Sequence, residues 1–432
     1  MRRREEDDGS VRMAVYQAAC AAALMMMLLP LGVNAADAPV NPTWSRTLPA
    51  TSTDQPVTIL QPLPAGGVLV RNGTGAIAID AQGRTLWSMP NVVDAILSGG
   101  NVVFWRSNVV FAVRSSDAGV VWKRPCANPP YVVAAADRLV TFCGALSTVL
   151  RAADGTVLVT QKPSLGTGSP RLQGALALNA GYVMVSNFFE GAYMGNTYFV
   201  VDAHTGAFLW SQTDLEVLGV TATTISISQV PSMMPWAASG VVQTLRLTDG
   251  GVVGSKTFAI PQKDDPQGKG TVSVSSAATY VTPMSGTSYR FAGSDPAKPQ
   301  PIRAGWTFDA ITLGSAAFLL AGGPEGKPGT VYFDRPSDAG AFVPRSLGPY
   351  QGSLAERSFA NTSLQVVDGE RIDNRVAIPD VHLVRLYDES GAVELSAKVG
   401  CDQPQLAGTR TMLFVLCTPA QKPVTVAAFR RH

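Results

Sequence analysis

Catalysis and ligand binding need titratable or nucleophilic side chains held close together, and this chain of 432 residues is sparing with them. Its only histidines are His204, His382 and His432, which leaves little material for a histidine metal site or a proton relay. The five cysteines are Cys20, Cys126, Cys143, Cys401 and Cys417, with no Cys-x-x-Cys among them. Zinc, redox-motif and c-type haem readings therefore fall together. Cys126 and Cys143 lie 17 residues apart and Cys401 and Cys417 lie 16 apart, each pair bracketing two strand-like runs. Two local disulfides, each joining neighbouring strands of one small unit, are the expected chemistry.

Other signatures are weak. Gly323–Lys327 has neither the spacing nor the Ser/Thr of a phosphate loop, and no Gly-x-Ser-x-Gly elbow occurs. Asp264 and Asp265 lack the alternating ligands and closing Glu of a calcium loop, so the segment reads as an exposed turn. Two carboxylates from different blades could converge, which sequence spacing cannot show; Glu190, Glu216, Glu325, Glu356 and Glu370 lie outside the turn consensus, and solvated charges are expected there. With a net charge of +2 and 15% charged residues, the chain is no candidate for neutralising many phosphates, and nucleic acid is not an expected partner.

The elements that must position these residues begin after a leader. Arg2–Arg4 and Arg12 precede an apolar run from Ala18 to Leu31, which ends at Val33-Asn34-Ala35. A run this short, followed by small residues, predicts a signal peptide over residues 1–35, cleaved before Ala36. Cys20 lies too far from that cut to be lipidated. No later run could span a membrane as a helix, because Gly, Pro or charge interrupts each one. Export to the periplasm or outside the cell follows, and suits the disulfides.

Residues 36–432 are read as one domain built on a repeat. Ile77–Trp87, with Asp80 and Gly83, recurs as Phe199–Trp210, with Asp202 and Gly206, and more loosely as Phe111–Trp122, with Asp117 and Gly119. Fainter copies centre on Asp154, Asp249, Asp338 and Asp388, with a decayed one near Asp295. Each copy is an apolar run, an Asp that can bond the backbone of a tight turn, a Gly that tolerates positive φ, then a second apolar run. That pattern is a hairpin. Two further short runs upstream give four strands per unit of some forty-odd residues, with no helical period between them. The predicted fold is all-β: a β-propeller of four-stranded antiparallel blades, eight in number within a range of seven to nine.

The Asp-x-x-x-Gly-x-x-x-Trp hairpin resembles the repeat of PQQ-like, quinoprotein-type propellers. The resemblance implies that Trp87, Trp122 and Trp210 dock between adjacent blades, with Gly83, Gly119 and Gly206 as turn residues, and that the ring closes by pairing strands from both ends of the chain, Trp44–Leu48 with Thr411–Cys417 and Val424–Phe429, which strictly counted is a ninth blade. It also implies a choice between quinone-dependent dehydrogenases and non-catalytic scaffolds. The enzymes set two adjacent cysteines over the quinone; this chain has no Cys-Cys pair. The expectation is therefore the non-catalytic branch, with no cofactor and no bound metal. The alternative is a PQQ-dependent dehydrogenase or a propeller-type carbohydrate-active enzyme.

Function then falls to long connections. Two of them carry Phe188, Phe189, Tyr193 and Met194, and Met233, Met234 and Trp236. If they sit on neighbouring blades they form one apolar patch, the expected face for another envelope or extracellular protein on an otherwise monomeric scaffold; the alternative is that these loops fold back to plug the ring or pack on each other.

Overall fold

The computed structural model describes residues 38–49, 57–106, 108–126, 131–144, 146–162, 172–189, 195–213, 215–229, 240–261, 270–283, 287–293, 295–296, 299–302, 308–321, 329–335, 345–350, 375–380, 382–401, 404–418 and 423–431. They form strands joined by turns in which Gly, Asn or Asp repeatedly takes the tight positions. Nearly every strand pairs only with its sequence neighbours, in antiparallel register.

Nine sheets result, not eight. Blades 1 to 7 each use four consecutive strands, within residues 58–89, 94–125, 131–161, 172–213, 215–257, 270–301 and 308–350. Blade 8 contributes Val376–Asp380, Leu383–Tyr387 and Val393–Lys398. The bulge between Leu386 and Tyr387 and the turn that follows mark these as its second, third and fourth strands. Blade 9 takes three strands from residues 405–430 and its fourth, Trp44–Thr47, from the other end of the chain. That assembly is why a count of hairpins falls one short: the last hairpin of the ring joins two strands with no turn between them.

Nine apolar clusters fill the nine interfaces between sheets, and the last of them joins blade 9 to blade 1, so the ring is closed. Val68, Val70 and Ile79 of blade 1 pack there against Phe414, Leu416 and Val426 of blade 9. Strands sandwiched between two neighbours are apolar on both faces, as Val102–Phe104 and Ala316–Ala321 are. The first strands of adjacent blades meet around the axis, leaving the fourth strands at the rim. Pairing by the amino-terminal strand covers the edge of Thr425–Arg430 and puts Trp44–Thr47 at the rim, where the other blades carry their own fourth strands.

Among the described residues no helix is long and apolar enough to cross a membrane.

Candidate interaction surface

The hairpin turns consume the aspartates. Asp80 Oδ1 accepts from the N–H groups of Gln82 and Arg84, and Asp117, Asp154 and Asp249 each accept from the N–H two residues on. Arg114, Arg151 and Arg246 close the same turns by pairing with those three carboxylates. The arginine bonds and the turn N–H groups hold Asp117 and Asp249 below the usual carboxylate range. These acids are local staples. Gly83 and Gly206 take φ of +82° and +71°, but in blade 2 the left-handed residue is Ala118, at +57°, and not Gly119.

The register identifies one recurrent rim position, on the fourth strand opposite the residue two before the head of the turn. It holds Trp87, Trp122 and Trp210 in blades 1, 2 and 4. Their Nε1 atoms donate to the carbonyls of Ser115, Ala152 and Leu247 in the next blade, at 2.9, 3.0 and 2.9 Å. Trp44 does the same from blade 9, giving its N–H to Ala81 O at 2.9 Å. Sequence reasoning missed it, because Trp44 stands 36 residues before Asp80, with no turn of its own ahead of it. Other blades substitute: Val159 in blade 3, Gly254 in blade 5, Gln300 in blade 6 and Arg345 in blade 7. Arg345 reaches the turn of blade 8 through Gly391 O at 2.9 Å.

Both disulfides are present, Cys126–Cys143 with Cα atoms 5.1 Å apart and Cys401–Cys417 with 5.6 Å. They differ from the expectation in what they join. Cys126 and Cys401 lie in the links leading into blades 3 and 9, and each is bonded to the end of that blade's second strand. The bridges therefore staple two links to the ring, on the face where second strands end, and each closed loop contributes about 3 kcal/mol through the unfolded state.

That same face carries the connections from second to third strands. Phe188 and Phe189 belong to the strand Tyr182–Phe189, where they pair with Asn196 and Gly195, so two residues expected in the connection lie in the ladder of blade 4. The corresponding connection of blade 5 follows Thr224–Gln229. Blades 4 and 5 are neighbours, sharing the cluster of Val200, Leu215 and Ile227. Tyr193, Met194, Met233, Met234 and Trp236 lie outside the described residues.

Among the described residues no group of three or more His, Cys, Asp or Glu could hold a metal ion. Charged side chains that are buried are engaged instead. Arg290, 1% exposed, reaches both Asp334 oxygens at 3.2 Å, and Gln300 Oε1 accepts from the same guanidinium. Tyr280 donates to Asp334 Oδ2 at 2.8 Å, and its phenol is pushed far up by burial and by the Asp334 charge. Asp94, heading the first strand of blade 2, is raised by burial, against the Ala95 N–H and Arg71.

Between blades 8 and 9, Glu394 accepts from Arg431 at 2.8 Å and from Arg375. Burial pushes this carboxyl up, but the two arginines outweigh it and hold it below the usual carboxylate range. A depressed carboxylate stabilises the fold at pH above its unfolded value, and that contribution is lost as pH falls through the folded one. Thermal melts between pH 7 and pH 3 should show a fall in Tm below about pH 5 that Glu394→Gln flattens while lowering Tm at pH 7. An unchanged acid limb in the variant would remove Glu394 from the explanation.

No family model matches the chain, and no curated protein matches it significantly. Among solved structures it is similar to BamB from Moraxella catarrhalis, at 14% identity over 89% of this chain and 100% of that one, with a TM-score of 0.38. It is similar to the quinohemoprotein alcohol dehydrogenase of Comamonas testosteroni at 14% identity, over 90% and 76% of the two chains, with a TM-score of 0.44. Apo AztD from Citrobacter koseri stands at 11% identity, over 85% and 97%, with a TM-score of 0.41. Likenesses this distant leave the architecture resting on the sheet topology and say nothing of activity.

Proposed function

We propose that this protein is an exported, non-catalytic β-propeller of the PQQ-like kind, a periplasmic or secreted scaffold that binds another envelope or extracellular protein. The observation that carries the reading is topological: Tyr182–Phe189, which ends in Phe188 and Phe189, and Thr224–Gln229 are the second strands of adjacent blades, so the connections that follow them leave on one face. Aromatic and Met side chains grouped on one face carry a large share of binding energy. Two further features support it. The disulfides suit an oxidising compartment, and the turn aspartates are engaged by their own backbone, which leaves few acids for chemistry.

Replacing Phe189 and Trp236 together by Ala is expected to leave Tm within a few degrees and to weaken capture of the envelope partner about tenfold or more. The measurement is quantitative pull-down from envelope extract onto the immobilised mature chain, with thermal melting alongside. A loss of several kcal/mol of stability would show these side chains to be core, and the face would be withdrawn. A thermal shift with PQQ and calcium, together with dye-linked turnover, would favour the dehydrogenase instead.

A further inference from the structure

At four interfaces the rim is closed by an indole. Trp44, Trp87, Trp122 and Trp210 each lie on the turn of the next blade and donate to the carbonyl just past the residue that heads it, at 2.9 to 3.0 Å. The fit is close: a Cβ added at Gly83, Gly155 or Gly250 would come within 2.9, 2.6 or 2.8 Å of the ring above it.

Between blades 5 and 6 the same place is vacant among the described residues. Gly254, opposite Thr244, occupies the tryptophan position, and a Cβ built there would meet only Thr244 Cβ at 4.0 Å. The facing residue of blade 6 is Gly293. Its N–H bonds to Ala277 O just as the N–H of Ala152 bonds to Asp137 O and that of Leu247 to Thr223 O, so its carbonyl stands where the other interfaces offer theirs to an indole. A Cβ at Gly293 would meet nothing within 4 Å among the described residues. Every residue of Val252–Thr257 is exposed, Val252 and Val253 at 56% and 50%. This strand is the outer edge of its sheet. A glycine inside a strand marks a place where another backbone approaches or an aromatic from a neighbouring strand covers it.

We infer that the rim between blades 5 and 6 docks an extended segment of a partner protein, which adds along Val252–Thr257 as a further strand and lays an indole over Gly254, towards the Gly293 carbonyl. The site continues an interface that the ring builds four times from its own residues, and those copies specify the side chain. A second copy of this chain does not fit, since Val252–Thr257 holds no aromatic and edge-to-edge pairing would leave both notches empty. The inference rests on reading the ring as a binding scaffold, but on a surface separate from the long connections.

The probe is a blocked, fluorescein-labelled peptide of alternating Thr and Val with one central Trp, followed by anisotropy against the full mature chain. Saturable binding is expected, weakened about tenfold when Ala replaces the Trp. Gly254→Trp, which supplies the indole in cis, should abolish binding and keep or raise Tm; Gly254→Val, a smaller plug, should weaken binding about tenfold should the larger variant not fold. The Phe189→Ala/Trp236→Ala chain should bind the peptide as the parent does, which separates failure here from failure of the loop-bearing face. Absence of saturable binding, equal affinity for both peptides, or unchanged binding by the Gly254 variants would overturn the inference. A dimer in sedimentation velocity that Gly254→Trp dissociates would overturn it in favour of self-association.

Discussion

Asp334→Ala is expected to lower stability by about 3–5 kcal/mol, because it leaves the Arg290 guanidinium buried and without its carboxylate. Arg290 is 1% exposed and Asp334 4%, one from blade 6 and the other from blade 7. The variant also strips Tyr280 of its acceptor. What is lost is a carboxylate bonded to Arg290 and Tyr280, so the cost exceeds that of the lost packing volume. Arg290→Met with Asp334→Leu should recover much of the loss, since an apolar pair has no charge to desolvate. Chemical denaturation followed by tryptophan fluorescence measures both. A single-variant effect under about 1 kcal/mol would mean that water reaches the pair and screens it.

Deleting residues 38–48 should be comparably severe, at about 5 kcal/mol or more, on the cost of removing two large packed side chains. Leu48 is 3% exposed, and Trp44 packs 6.3 Å from Phe414 while bonding to Ala81 O in blade 1. Arg46 donates to Gly83 O, and Val40 bridges to Ala397 of blade 8, so this short segment touches three blades. Without it, Thr425–Arg430 becomes a bare sheet edge and the blade 9 to blade 1 interface loses its outer wall. Aggregation in size-exclusion chromatography and a fall in Tm are the expected readouts. Trp44→Ala alone should lie between the parent and the deletion. A truncated chain that stays monomeric with an unchanged Tm would show that the carboxy-terminal strands hold the ring by themselves.

Local chemistry was legible in the residues. An Asp three or four places before a Gly, flanked by β-branched runs, closes a hairpin through its own neighbours, so Asp80, Asp202 and Asp388 could be placed in turns without knowing what lay across from them. The four cysteines could be paired because their spacing keeps each loop short. Tertiary structure decided the rest, since it depends on residues far apart in the chain. Strands at both ends of the chain could be read as a closing blade, but only the pairing of Trp44–Thr47 with Thr425–Arg430 makes that blade a full ninth. Arg290 and Asp334 belong to strands of different blades, 44 residues apart, and neither sits in a motif. Gly254 reads in sequence as an ordinary weak strand residue; only the register that sets it opposite Thr244, where other blades hold tryptophan, makes its missing side chain meaningful. Hydrogen bonds within a turn are fixed by the few residues that make it, whereas ring closure, buried pairs and an unfilled rim position are set by which blades the closed circle brings together.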